Sequence, residues 1–254
     1  MARPVRPNLF QSLNLDAPHI TEVRRLLQAL LRNDREAARR IYMVTSARRG
    51  EGKSTTCALL AIVAAKLFHK RTLVIDADVR AATMHHLLGI SRGPGFSEVL
   101  QGRVTLDAAI RATPLTQLFA MPIGAPIGRA SEAYDDDACQ ALLQKIRSDF
   151  ELIFIDAAPV VPVVEPMMIA EHVDGILVVA MVGRTPLTLI RRMKQIIEPA
   201  ASKISGIILS NAVDGLPYYY DYRYYGYERA AARRTGPASA PREEKRVQPK
   251  SSAA

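Results

Sequence analysis

The sequence has few cysteines and no long hydrophobic run, and each shortage excludes a class of protein. Cys57 and Cys139 are the two cysteines among 254 residues, too few for a disulfide framework or a four-cysteine zinc site. The longest apolar stretch, 57–65, falls short of the about 20 residues that span a bilayer. The start of the chain carries charges and prolines where a signal peptide has an apolar run. We therefore expect a protein of a reducing compartment that reaches a membrane only through something else.

The charge is concentrated at the two ends of the chain. The formal net charge is +9, of which residues 1–40 contribute +4 and residues 228–254 contribute +4. The intervening 187 residues carry 19 basic and 18 acidic side chains, a net charge of +1. A nearly neutral central region disfavours binding of nucleic acid, and no nucleic-acid partner is expected, although basic ends can still touch anionic membrane or polyanions.

Short runs of β-branched residues alternate with longer stretches of helical periodicity. The predicted strands are 41–45, 72–75, 117–121, 152–155, 175–181 and 206–210. The predicted helices are 20–31, 54–69, 131–147, 166–171 and 186–197. Several strands are apolar at consecutive positions, as expected for strands covered on both faces. This alternation predicts an α/β fold with a doubly wound, mostly parallel sheet.

The two ends of the chain lack this alternation. Residues 1–18 are predicted to be an irregular N-terminal segment, and residues 19–214 a single α/β domain. A tyrosine cluster, 215–228, follows the domain. Residues 229–254 have too few apolar side chains to offset the entropy of ordering, and we expect a disordered basic tail.

A phosphate-binding loop is predicted between the first strand and the following helix. The pattern G-x-x-x-x-G-K-[ST] is matched at Gly52, Lys53 and Ser54, with Ala47 in place of the first glycine. Backbone N–H groups wrap a triphosphate, Lys53 supplies positive charge, and the Ser54 hydroxyl can bind Mg²⁺. The alternative is a glycine turn before a helix with a chance lysine. Contacts with ATP are predicted for Ala47, Arg48, Arg49, Gly50, Glu51, Gly52, Lys53, Ser54 and Thr55.

Carboxylates follow two of the predicted strands. Asp76 and Asp78 come after one strand, and Asp156 after another. In open α/β sheets, ligands bind beyond these strand ends, where an aspartate can reach Mg²⁺ or accept a proton from an attacking hydroxyl. The alternative for each aspartate is a cap on the next helix.

Seven of the nine tyrosines lie within ten residues near the end of the chain. They are Tyr218, Tyr219, Tyr220, Tyr222, Tyr224, Tyr225 and Tyr227. A buried strand would leave many phenol hydroxyls to pair, whereas an accessible strip of hydroxyl nucleophiles needs no partners. The alternatives are a sticky aromatic tail or a stacking surface for single-stranded nucleic acid.

These motifs together resemble the bacterial tyrosine kinases (BY-kinases) of capsule and exopolysaccharide synthesis, the CpsD/CapB type. Residues 44–55 (VTSARRGEGKST) are similar to the family's Walker A motif, 76–80 (DADVR) to its Walker A′ and 155–159 (IDAAP) to its Walker B. The resemblance extends from about residue 22 to residue 227 and includes 173–179 (VDGILVV) and 183–185 (GRT). It implies a P-loop NTPase fold of the MinD/ParA-like superfamily.

The resemblance also implies roles for the site residues. ATP and Mg²⁺ are the implied cofactors, and the implied reaction is transfer of the γ-phosphate to the clustered tyrosines of a neighbouring copy. The catalytic residues would be Lys53, Asp76 as the base, and Asp78 as metal or loop support. Metal ligands would be Ser54, Asp76 and Asp156, and Asn211 would contact adenine. The family's E-x-x-R-x-x-R helix, linked to ring formation, is represented here by Glu22 and Arg25, with Gln28 in place of the last arginine.

The partners implied are a homo-oligomer, possibly a ring, an integral-membrane activator of the polysaccharide co-polymerase type, and a protein-tyrosine phosphatase. The implied location is cytoplasmic, at the inner face of the membrane through that activator, where the kinase would regulate polysaccharide polymerisation and export. One alternative is a MinD/ParA-type ATPase, which has a lysine where this chain has Arg48 and needs no tyrosine cluster. Another is a nucleotide-gated scaffold with little transfer activity.

Overall fold

Seven strands form one sheet in the part of the chain that the structure describes, residues 8–32, 40–125 and 134–212 of a computed structural model. The strands are β1 Arg40–Ser46, β2 Thr72–Ala77, β3 Arg111–Ala112, β4 Leu118–Met121, β5 Leu152–Ala157, β6 Gly175–Met181 and β7 Ile204–Ser210. Their order across the sheet is β3-β4-β2-β5-β1-β6-β7. Every pairing is parallel except that of β3 with β4. The predicted doubly wound, mostly parallel sheet is confirmed.

Helices connect the strands and cover both faces of the sheet. Their bounds are α1 Leu9–Ser12, α2 Pro18–Arg32, α3 Lys53–Leu67, α4 Met84–Leu88, α5 Phe96–Leu100, α6 Leu106–Ala109, α7 Asp136–Arg147, α8 Glu165–Ala170 and α9 Leu187–Ile197, followed by a 3₁₀ turn Glu198–Lys203. Helix α3 is apolar around most of its circumference and is buried between the sheet and α2. Helix α2 buries one stripe, Ile20, Leu27 and Leu30, and exposes the opposite one.

The core consists of two apolar layers, one on each face of the sheet. Alternate residues of β1 point to opposite layers, so Met43 packs with α7 and α8 while Tyr42 and Val44 pack with α3. The ring of Tyr42 stacks on Phe154 at a centroid distance of 5.9 Å. Both layers are apolar, which explains why the strands read as continuous hydrophobic runs.

The predicted strands and helices are all present, but several boundaries and short elements differ. Helix α7 begins at Asp136 and not at residue 131, because Asp135 is extended and its carboxylate accepts the Ala138 N–H as an N-cap. The antiparallel strand β3 and helices α1, α4, α5 and α6 were not predicted, and α1 lies within the segment 1–18 that was predicted to be irregular. These elements are two to five residues long, too short for a hydrophobic period to show.

The fold brings the loops after β1, β2 and β5 to one edge of the sheet. Strand β1 lies between β5 and β6, and the chain order reverses at this position. In doubly wound sheets, this switch point is where ligands bind. Within the described residues, no helix combines the length and apolar character needed to cross a membrane.

Candidate active site

The loop after β1 wraps the start of helix α3, as the phosphate-loop motif predicted. Gly50 has φ +86° and Gly52 has φ +94°, conformations that side-chain-bearing residues rarely adopt. A Cβ on Gly50 would meet no atom within 4 Å, so its backbone angle and not crowding requires glycine there. Gly52 is the N-cap of α3, whose first backbone N–H groups point into the loop. This arrangement is suited to binding an anion such as a triphosphate.

Lys53 joins the loop to both acidic strand ends. Its Nζ lies 2.7 Å from Asp78 Oδ2 and 3.2 Å from Asp156 Oδ1, and it donates to Ser54 Oγ at 3.2 Å. The lysine side chain is 7% exposed. Burial alone would lower the pKa of Lys53, but the carboxylates of Asp156 and Asp78 outweigh it and raise the pKa. The lysine therefore stays charged inside the site.

Asp156 and Ser54 fit a magnesium site. Asp156 is fully buried at the end of β5, and Lys53 Nζ donates both to its Oδ1 and to the Ser54 hydroxyl, each at 3.2 Å. Among the described residues, Asp156 Oδ2 has no hydrogen-bond partner. Burial raises the pKa of Asp156, opposed by Lys53 and Ser54. Mg²⁺ needs only one or two carboxylates when phosphate oxygens and water complete its shell, so a hydroxyl and one free carboxylate oxygen suit it.

Asp76 and Asp78 are held by backbone N–H groups at the end of β2. Asp76 Oδ1 accepts from Asp78 N at 3.2 Å, and Asp76 Oδ2 accepts from Thr83 N and Met84 N at 3.1 and 3.0 Å. Asp76 therefore also caps the start of α4, which was the alternative interpretation of this residue. Burial, and then the charge of Asp156, raises the pKa of Asp76 to about 7. A carboxylate with such a pKa can accept a proton near neutral pH.

Comparison with known proteins agrees with this geometry. Residues 42–214 match the family described as the CobQ/CobB/MinD/ParA nucleotide binding domain. Over 74% of its length, the chain is 32% identical to the tyrosine-protein kinase CpsD of Streptococcus agalactiae, and the match covers 82% of that protein. The chain belongs to the bacterial tyrosine-kinase family. The predicted family and P-loop fold are thus confirmed.

One solved structure and one longer protein are further relatives of this bacterial tyrosine kinase. The kinase domain of the Escherichia coli tyrosine kinase ETK superposes on it with a TM-score of 0.75 and 26% identity, over 82% of each chain. The succinoglycan biosynthesis transport protein ExoP of Rhizobium meliloti is 31% identical over 84% of this kinase, which spans only 28% of that relative.

Thr185 and Ser210 connect the phosphate loop of the kinase to the ends of β6 and β7 through hydrogen bonds. Neither residue was predicted to belong to the site. Buried Glu51 accepts from the Thr185 hydroxyl at 2.5 Å and from Arg48 N at 3.0 Å. The Thr185 hydroxyl accepts in turn from Met181 N at 2.8 Å. The Ser210 hydroxyl donates to the Glu51 carbonyl at 2.6 Å. The sequence pointed to Thr185 only through its place in the 183–185 motif, which does not indicate what the side chain contacts.

Glu165 and Tyr134 also lie at the site and were not predicted as part of it. Glu165 is buried and pairs with Arg80 at 2.9 Å, so it links α8 to the segment after β2. The Tyr134 hydroxyl donates to the carbonyl of Ala77, between the two aspartates. Burial raises the pKa of Tyr134 well above its ordinary value, so the hydroxyl keeps its proton. Neither residue lies in a motif that sequence inspection singles out.

The remaining predicted residues divide into three groups. Arg48, Arg49 and Thr55 are exposed around the loop, and exposed Asn211, with φ +56°, follows Ser210 next to it. Glu22 and Arg25 lie on the outer face of α2 and form an ion pair of 2.5 Å. The tyrosine cluster lies outside the described residues, as does the basic tail.

Proposed function

We propose that this chain is an ATP-dependent tyrosine autokinase that phosphorylates the clustered tyrosines 218–227 of a neighbouring copy. One observation carries the proposal. Lys53, the first residue of α3 after the phosphate loop, contacts Asp78 and Asp156. Asp156 in turn pairs with Asp76 in the register of β5 and β2. A cation for the phosphates, a metal ligand and a proton acceptor are thereby gathered at one edge of the sheet.

The residues divide the chemistry among them. The loop N–H groups and Lys53 hold the β- and γ-phosphates of ATP and stabilise negative charge during transfer. Ser54 and Asp156 would hold Mg²⁺, which would supply positive charge to the phosphates when bound. The tyrosine oxygen bonds to the γ-phosphorus as the bond to the β–γ bridging oxygen breaks. The tyrosine proton passes to Asp76, and ADP leaves. Asn211 would contact the adenine, a role supported by the hydrogen bond from the adjacent Ser210 to the phosphate loop.

Transfer between copies and control of polysaccharide export are the wider parts of the proposal. The exposed Glu22–Arg25 face of α2 is the surface proposed for self-assembly, possibly into a ring. The relative named as a succinoglycan transport protein extends well beyond this chain, which supports a membrane partner of the polysaccharide co-polymerase type acting as activator. Each phosphate adds about −1.5 to −2 charge to the tail, and a protein-tyrosine phosphatase would reset it. The kinase would then work in the cytoplasm, at the membrane through its partner.

The test is phosphotyrosine formation by the purified full chain. We expect signal with Mg·ATP, and none when EDTA removes the metal. A variant with the seven clustered tyrosines changed to phenylalanine should lose the signal while still binding ATP. Mixing this variant with a tail-intact, Lys53→Met chain should restore it, because the active copy phosphorylates the inactive one. If such a mixture gives no signal while the unmodified chain does, transfer between copies is contradicted.

A nucleotide-gated scaffold is the second candidate, favoured by the contacts that tie Asp76 to backbone N–H groups. An aspartate that only caps α4 would need no catalytic role. In that case the chain would bind ATP with normal affinity but give no phosphotyrosine with Mg·ATP.

A further inference from the structure

The segment that carries Asp76 and Asp78 extends beyond the strand that flanks it. Strand β4 pairs with β2 from Thr72 to Ile75, where it ends at Met121. Asp76 and Ala77 continue past this point and pair with β5 alone on their other side. Ala77 is 2% exposed, so its backbone carbonyl is removed from solvent. A buried carbonyl without a donor is unfavourable, and the position therefore needs one from outside the sheet.

Tyr134 supplies that donor from the start of helix α7. Its hydroxyl donates to the Ala77 carbonyl oxygen, and the residue is 4% exposed. Its ring packs against Phe96 of α5 at a centroid distance of 5.8 Å. The next residue, Asp135, caps α7 through the Ala138 N–H at 2.9 Å. The phenol is thus fixed by two helices before it meets the strand end.

From this placement we propose that Tyr134 is a positioning residue of the transfer reaction, acting through Ala77 on the two aspartates. The proposal rests on the kinase function proposed above. Ala77 is the single residue between Asp76 and Asp78, so a shift of its peptide moves both carboxylates. A displacement of about 1 Å at such a group can cost up to 10²-fold in rate. Lys53 contacts Asp78, but the backbone of the phosphate loop before it is held elsewhere, by Thr185 and Ser210. Tyr134 should therefore affect the rate of transfer and not the binding of ATP.

The test compares Tyr134→Phe with Tyr42→Phe in the full chain. Both changes remove one buried phenol hydroxyl, but Tyr42 lies near the start of β1, at the opposite end of the sheet. We expect Tyr134→Phe to lower kcat for autophosphorylation about tenfold, with KM for ATP changed less than twofold. Tyr42→Phe should leave both constants near those of the unmodified chain. A purely structural role would lower the melting temperature of both variants without this split.

A second readout does not depend on activity. Hydrogen exchange should be faster in Tyr134→Phe than in Tyr42→Phe at the amides of Asp78, Thr83 and Met84, which donate to Asp76. If the unmodified chain gives no phosphotyrosine, the kinase proposal fails, and this exchange pattern still decides the role of Tyr134. Unchanged exchange with unchanged kcat would overturn the proposal. So would a Tyr134→Phe effect confined to KM for ATP, or a Tyr134→Phe chain that does not fold.

Discussion

Lys53 has two tasks, and the structure predicts that a substitution affects both. It supplies charge to the phosphates, and it neutralises two carboxylates that are at most 1% exposed, Asp78 and Asp156. Removing one partner of a buried ion pair leaves a charge uncompensated, which typically costs about 3–5 kcal/mol. The lysine thus contributes to the stability of the sheet edge as well as to catalysis.

We expect Lys53→Met to lose phosphotransfer by at least about 100-fold and to lower the free energy of unfolding by about 3 kcal/mol. Lys53→Arg is the matched control, because it keeps the positive charge in a different shape. It should retain most of the stability and still transfer poorly. Phosphotyrosine assays and urea unfolding of the three proteins check this. A fully stable Lys53→Met chain would mean that the ion pairs contribute little to folding.

Asp156 and Asp76, both buried, should respond differently to replacement of the carboxylate by an amide. Asp156→Asn removes the oxygen assigned to the metal, so the Mg²⁺ concentration for half-maximal transfer should rise about tenfold. Asp76→Asn should leave that concentration and ATP affinity nearly unchanged and slow transfer by about 100-fold, since only the proton acceptor is lost. Magnesium titrations of the transfer rate distinguish the two. An Asp76→Asn chain as active as the unmodified one would move the base assignment to Asp78.

Secondary structure and site were predictable from sequence to different extents. Long strands such as β1 and β6, and the helix after the phosphate loop, carry strong periodic or motif signals and were predicted within two residues. Strand β3 was not, because its two residues depend on the tertiary position of β4. The proximity of Lys53, Asp78 and Asp156 could be predicted from the parallel sheet, because the carboxyl ends of parallel strands lie at the same edge. The contacts of Glu51 with Thr185, 134 positions apart, had no local signal.

The connection between Glu51 and Thr185 joins the phosphate loop to the start of α9. A negative side chain in a phosphate loop repels the ligand unless it is occupied by donors, and here Thr185 and the Arg48 N–H supply them. Thr185→Val keeps the shape but removes the hydroxyl, leaving one Glu51 oxygen without that donor. Because such a loss costs about 1–3 kcal/mol, the loop should lose its ordered conformation before the rest of the sheet.

The expected result for Thr185→Val is a five- to tenfold rise in KM for ATP, about 1–1.4 kcal/mol, with kcat less affected. Thr185→Ser restores the hydroxyl and should recover ATP affinity. Initial rates across ATP concentrations, with direct binding of ADP, measure both effects. An equal loss in the valine and serine variants would show that packing of the threonine methyl, and not its hydroxyl, supports the loop.

At the scale of the whole molecule, the outer face of α2 is the surface proposed for self-assembly. Ile20, Leu27 and Leu30 attach the helix to α3, which leaves the Glu22–Arg25 pair and Gln28 on the exposed side. An arginine at the third position would add a charge to each interface of a ring. The glutamine keeps hydrogen-bonding capacity without that charge. The expected assembly is therefore weaker than one with a complete pair of arginines, and salt should weaken it less because it has fewer charge pairs to screen.

We expect Gln28→Arg to strengthen self-association about fivefold at low salt, because an exposed ion pair contributes up to about 1 kcal/mol at each interface. Gln144→Arg, which adds the same charge to the exposed side of α7, is the matched control. Analytical ultracentrifugation should show larger assemblies for Gln28→Arg alone, and the difference should shrink at high salt. Phosphorylating the tyrosine cluster should reduce assembly in every variant, since dianionic tails are repelled from the aspartate-lined site of a neighbour. A Gln28→Arg chain that assembles no better than Gln144→Arg would contradict the role of α2, and a larger phosphorylated form would contradict the repulsion between tail and site.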